Sequence, residues 1–147
     1  MREIKFRAWI PDIKRIYQVM SVEVEPQDGR QKYIIVWEHP CVKSAIIKRK
    51  VGKFRLGDGV VLLEYTGLKD KKGKEIYEGH VLSIPLVKST SKPMMSTRVV
   101  SFVDGFFGTV HEHGGHTYKT ALTSYAFFDE VEIIGYEYEN PELLEVT

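Results

Sequence analysis

Tyr65-Thr66-Gly67-Leu68-Lys69-Asp70-Lys71-Lys72-Gly73-Lys74-Glu75-Ile76-Tyr77-Glu78-Gly79-His80-Val81 reads as two tight turns framing a short strand. Leu62, Leu63 and Tyr65 close a run rich in Val and Leu, the composition of a buried or half-buried strand. Gly67 tolerates a positive φ that a side chain resists, so the strand is expected to turn there. Asp70-Lys71-Lys72-Gly73 has Asp first and Gly last, as a type I turn prefers. Glu75-Ile76-Tyr77 resumes extended chain, and Glu78-Gly79 breaks it before Val81-Leu82-Ser83-Ile84.

Working outward, strands recur almost everywhere. Ile4, Phe6 and Ala8 alternate with Lys5, Arg7 and Trp9, which predicts an opening strand. Pro11-Asp12 stops it, and Arg15 to Val19 is its hairpin return. Val22-Glu23-Val24 precedes the turn-rich Pro26-Gln27-Asp28-Gly29. Tyr33-Ile34-Ile35-Val36-Trp37 is the clearest central strand of the first half, with Ala45-Ile46-Ile47 and Val60 to Leu63 as further candidates. Arg98 to Val103 and Phe106 to Val110 flank Asp104-Gly105, a strong two-residue hairpin signal. Val131 to Tyr138 is the expected last strand. Pro141 to Glu145 is expected to form one helical turn, capped by Asn140.

The composition shifts near Leu56-Gly57-Asp58-Gly59, which divides the chain into a β-rich N-terminal part, 1–58, and a second part, 59–147. In the second part the Glu78 to Val81 turn, an extended loop near 85–97 and a Val-rich hairpin read like a small SH3-like barrel. The expected fold class is therefore mainly β with very little helix.

Three ordered patches give this chain a resemblance to the YopX family: Ile4 to Trp9, Tyr65 to Val81, and Ile134-Gly135 with Tyr138 to Leu144. Val99 to Phe102 and Asp104-Gly105-Phe106 sit where that family carries a similar strand and turn. The resemblance implies a predominantly β fold, a phage or prophage origin, and no catalytic residues to carry over. One departure stands out: the family usually has Asp where this chain has His80. An acid serving a turn hydrogen bond could be partly replaced by His; one serving a metal or as a base could not.

Composition narrows the function classes. The 147 residues are 43% hydrophobic and 12% aromatic, enough for a buried core and unlike a disordered tail. A net charge of +1 carries no overall bias toward nucleic acid. One cysteine, Cys41, rules out an internal disulfide and a Cys-rich zinc site. The N-terminal residues lack the apolar core of a signal peptide and no run is long enough to span a membrane, so a cytoplasmic location in a bacterial host is expected.

Few residues carry chemistry. His111, His113 and His116, with Glu112 and the Gly114-Gly115 turn, could present three imidazoles to zinc or nickel, although the spacing matches no strong motif. A solvent-facing hairpin tip is the plainer reading. Between Val42 and Leu56 lie Lys43, Lys48, Arg49, Lys50, Lys53 and Arg55 with no acid. Between Asp129 and Thr147 lie seven acids and no base. The basic block, chiefly Lys48, Arg49, Lys50, Lys53 and Arg55, suits nucleic-acid phosphates, an edge strand guarded by lysines, or a head-to-tail contact with the acidic segment of another copy. No P-loop or nucleophile elbow occurs, and Cys41 with His39 reads as an ordinary thiol near a histidine. The reading that follows is a non-enzymatic, self-associating binding or accessory protein. Nucleic-acid binding through the basic block is the alternative, and a metal-dependent enzyme at the histidines is the third.

Overall fold

The computed structural model describes residues 2–24, 32–38, 49–55, 59–87, 91 and 94–144, with side chains at 2–22, 59–87, 91 and 94–144. The described chain is mainly β, as the strand composition predicts. It divides into two units, Ile4–Glu64 and Met1–Glu3 with Tyr65–Thr147.

The first unit is an antiparallel meander. Strand β1 (Phe6–Ile10) pairs with β2 (Arg15–Val24), β2 with β3 (Lys32–Glu38), and β3 with β4 (Arg49–Arg55). The other side of β1 takes Val61 to Glu64, the start of β5 (Val61–Lys69). Ala8, Ile10 and Val60 are buried, with Tyr17, Val19, Val22 and Leu62 packed against them. Ala8 and Ile10 are two apart, so the period of two puts both on the covered face. A register shift between Val19 and Ser21 lets β2 run as one strand where two pieces were expected. The basic run, for which an edge strand guarded by lysines was one reading, forms β4 at the edge of the order β4-β3-β2-β1. Expectations for Pro26 to Gly29, Ala45 to Ile47, Cys41 with His39, and Leu56 to Asp58 lie outside the described residues.

In the second unit, the rest of β5 pairs with β6 (Glu75–Tyr77). Strand β7 (His80–Val87) lies between β8 (Met94–Val99) and β12 (Glu132–Tyr136). Strand β10 (Phe106–His113) lies between β9 (Ser101–Val103) and β11 (His116–Ala121). Short 3₁₀ turns occupy Leu122–Ser124, Phe128–Glu130 and Pro141–Leu144. Ile76, Leu82, Ile84, Val100, Leu122 and Val131 form the core, each side chain contributing about 1.5–3 kcal/mol relative to exposure. Leu68, Phe107, Tyr125, Phe128 and Ile133 pack around it.

Several local expectations need correction. Among the described residues the sheets of this unit are open, and the SH3-like barrel closure is not found: β9, β10 and β11 pair among themselves and not with β7 or β12. The chain does not turn at Gly67. With φ +84° it makes a bulge inside β5, and Thr66 Oγ1 accepts the Leu68 N–H while donating to the Ile76 carbonyl at 2.8 Å. The loop near 85–97 is shorter, because Pro85 pairs with Met95 and Val87 with Met94. Pro85 is tolerated because β12 pairs with β7 only as far as Ser83, which leaves that side without a ladder to feed. The expected strand from Arg98 to Val103 breaks at Val100, whose backbone bonds Gly79 and His80 before the chain leaves to form β9. Strand β12 ends at Tyr136. Asn140 turns its side-chain oxygen back to the Tyr136 N–H at 3.2 Å, while its carbonyl accepts the Leu143 N–H.

Candidate functional site

The β10–β11 hairpin presents the strongest candidate. Gly114 and Gly115 both have positive φ, the requirement of a two-residue I′ turn, and they pair His113 with His116. Register then places His111 opposite Tyr118. Directly paired residues share a face, as do residues two apart, so His111, His113, His116 and Tyr118 all lie on one face of the sheet. Thr109 and Phe107 continue that face toward the core, where Thr109 is fully buried and its hydroxyl bonds that of Tyr125. The opposite face carries Val110, Glu112 and Lys119, with Lys119 paired to Asp104 of the other turn at 2.8 Å.

The histidine face is graded from buried to wet. His113 and His116 are exposed, and His111 is half-buried. The His111 ring stacks on Tyr118 with centroids 5.2 Å apart and 17° between planes. His116 meets Tyr118 edge-on at 6.5 Å. Burial, then the charge of Arg98, then His113 hold the His111 pKa below the ordinary histidine value. Among the described residues no three His, Cys, Asp or Glu side chains converge closely enough to hold a metal ion. The three imidazoles share a face without forming a ligand set.

Arg98 was not singled out from sequence. It pairs with Leu82 across β7 and β8, so it stands on the core side of that sheet. Its Nη1 donates to the Thr97 carbonyl at 3.0 Å. Arg98 Nε and His111 Nδ1 are both buried, and neither has a hydrogen-bond partner among the described residues. No local pattern marks Arg98, because β8 and β10 meet through packing. Tyr118 was legible in principle, since fixing the turn at Gly114-Gly115 fixes its partner.

Of the basic block, Arg49, Lys50, Lys53 and Arg55 lie on edge strand β4, where Arg55 pairs with Tyr33 and Lys53 with Ile35. Lys48 and Lys43 lie outside the described residues. Asp129, Glu130, Glu139 and Glu142 of the acidic segment are exposed.

The Tyr65 to Val81 stretch is built as a structural clamp. Asp70 is buried, and its carboxylate accepts the Lys72 and Lys74 N–H groups at 2.9 Å and that of Ile133 at 3.2 Å. Lys71 N–H adds a bond to the Val131 carbonyl at 2.8 Å. Lys72 and Lys71 both pair with Glu132 and hold its carboxyl down to about 2. His80 is buried, accepts the Tyr77 N–H on Nδ1 at 2.8 Å and stacks on Tyr136 at 4.0 Å. The turn hydrogen bond an acid would make is thus made by imidazole.

A sequence model of the YopX protein family matches residues 5–145. Two solved structures share the fold. Protein EF1440 from Enterococcus faecalis has a TM-score of 0.58 and 23% identity, covering 99% of this chain and 100% of its own. Protein yopX from Bacillus subtilis has a TM-score of 0.56 and 22% identity, with the same coverage. No curated protein matches. Among the described residues no helix is long and apolar enough to cross a membrane.

Proposed function

The chain belongs to the YopX family, and from that membership and the surface of its sheets we propose that it acts by binding, as a self-associating accessory protein without a catalytic step. The observation that carries this reading is the end of the β7–β8 ladder where Val87 pairs with Met94. Leu86, Val87, Met94 and Met95 lie there between 42% and 60% exposed, with β8 at the edge of its sheet. Clustered apolar side chains on an edge strand favour pairing with another chain. A second copy offers the same strand, so a two-fold antiparallel contact is self-complementary. The exposed acids Asp129, Glu130, Glu139 and Glu142 and the basic edge strand β4 add complementary charge between copies, which speeds encounter more than it tightens it. The setting that goes with this reading is the cytoplasm of a bacterial host carrying a phage or prophage.

The test is native mass spectrometry across protein concentration on wild type and on Met94→Lys with Met95→Lys. We expect a defined oligomer that the double variant dissolves while keeping its circular dichroism and melting temperature. A wild-type monomer at every concentration removes the proposal. The alternative reading is nucleic-acid binding through Arg49, Lys50, Lys53 and Arg55, favoured by their position on an outer strand. It requires affinity that falls steeply with salt and with neutralisation of those residues.

A further inference from the structure

We propose that Arg98, His111 and Tyr118 form a binding site for a phosphate group, carried by a nucleotide or by a single nucleic-acid strand. The site uses neither β4 nor the β7–β8 apolar end and stands apart from the functions proposed above.

Two buried nitrogens from two strands, Arg98 Nε on β8 and His111 Nδ1 on β10, lack partners among the described residues. A guanidinium Nε–H can only donate, and burying it unsatisfied is costly, so the position calls for an acceptor. Strands β8 and β10 are packed against each other, and the Arg98 charge acts on His111. A single oxyanion would accept from Arg98 Nε–H and, once His111 is protonated, from Nδ1–H. Charge-assisted pairing of this kind is the ordinary means of holding phosphate.

The surroundings suit an anion. The titratable groups sharing the sheet face with His111 are His113 on its own strand and His116 and Tyr118 on β11, and Arg98 approaches from β8. The neighbouring acid, Glu112, is directed to the opposite face by strand alternation. Tyr118 is 44% exposed and stacked on His111, so its ring offers a platform beside the phosphate for a base or sugar.

Protonation and binding are coupled here. Burial, Arg98 and His113 disfavour the His111 imidazolium when the site is empty. A bound anion offsets both positive neighbours, so binding raises the His111 pKa. By linkage, affinity rises as pH falls through that pKa.

The experiment follows the His111 ring nitrogens by NMR while inorganic sulfate, whose charge is constant over the range, is titrated at about pH 5.5 and about pH 7.5. Inorganic phosphate, a mononucleotide and a short single-stranded oligonucleotide follow. We expect saturable shifts at His111 and sulfate binding roughly tenfold or more tighter at the lower pH. Arg98→Met should abolish binding, Arg98→Lys should restore part of it, and His111→Asn should remove the pH dependence. A gain for the oligonucleotide over the mononucleotide that Tyr118→Ala removes identifies a strand as the source; equal affinities identify a free nucleotide. Circular dichroism checks that each variant is folded. If no probe moves His111, or if Arg98→Met binds as wild type does, the proposal is overturned.

Discussion

Removing the Asp70 carboxylate should unlock the turn at Asp70 to Gly73 from strand β12. Its three acceptor contacts differ in what replaces them. The Lys72 and Lys74 amides belong to exposed residues, where water can take over, so each is worth about 0.5–1 kcal/mol. The Ile133 amide lies on a half-buried strand, and leaving it unpaired costs about 1–3 kcal/mol. Asp70→Ala should therefore destabilise by about 2–5 kcal/mol, at the high end for a single substitution. Asp70→Asn keeps one oxygen for the turn but sets an amide donor against the Ile133 N–H, so about 1–3 kcal/mol is expected. Burial alone would raise the Asp70 pKa; the backbone donors of Lys74, Ile133 and Lys72, with the Lys74 charge, outweigh it and leave the pKa lowered from 3.8. A depressed carboxylate contributes stability above its unfolded pKa and loses it as pH falls through the folded one. Urea unfolding followed by circular dichroism should show the gap between wild type and Asp70→Asn constant near neutrality and closing below about pH 3.8. Amide exchange at Ile133 should quicken in both variants at neutral pH. An Asp70→Ala loss under about 0.5 kcal/mol, or a gap indifferent to acid, would refute the clamp.

Two further substitutions test local packing. His80→Ala removes the acceptor of the Tyr77 N–H and the stack on Tyr136 and should cost about 2–4 kcal/mol in urea unfolding, whereas His80→Asp keeps the acceptor and should lose clearly less; equal losses would show that the turn hydrogen bond is unimportant. A Cβ at Gly135 would lie 2.6 Å from Asn140 Oδ1 and 2.8 Å from Leu143 Cδ1, so Gly135→Ala should cost about 1–3 kcal/mol and release the Pro141–Leu144 turn, measured as faster exchange at the Leu143 amide.

Sequence reading succeeded where local chemistry sufficed. Asp104 and Gly105 take φ of 50° and 85° as a primed hairpin turn demands, and the Gly73 N–H bonds the Asp70 carbonyl at 2.9 Å as the type I reading requires. It failed where pairing overrode local preference. Gly67 looked like a turn because glycine permits positive φ, but the hydroxyl of Thr66 carries the chain through a bulge. Pro85 looked like a loop residue, but a strand missing its neighbour on one side does not need the amide that proline lacks. Strand β4 stayed one reading of the basic run among three, because lysines and arginines mask a strand whose place is set by pairing with β3.

The candidate site shows the same division more sharply. Its histidines could be read from the chain because a glycine pair sets the register of everything within a few residues on either side. The shared face of His111 and His116 is thus a local property. Arg98 stands 13 positions before His111, on a different sheet, and becomes relevant only when the two sheets pack around Leu82 and Phe107. Three imidazoles alone suggested a cation site. A guanidinium acting on His111 favours the opposite sign of ligand, since a fixed positive charge repels a metal ion and lowers the cost of holding an anion. The charge preference of the site is therefore a tertiary property, carried by the one residue that the spacing of the histidines could not disclose.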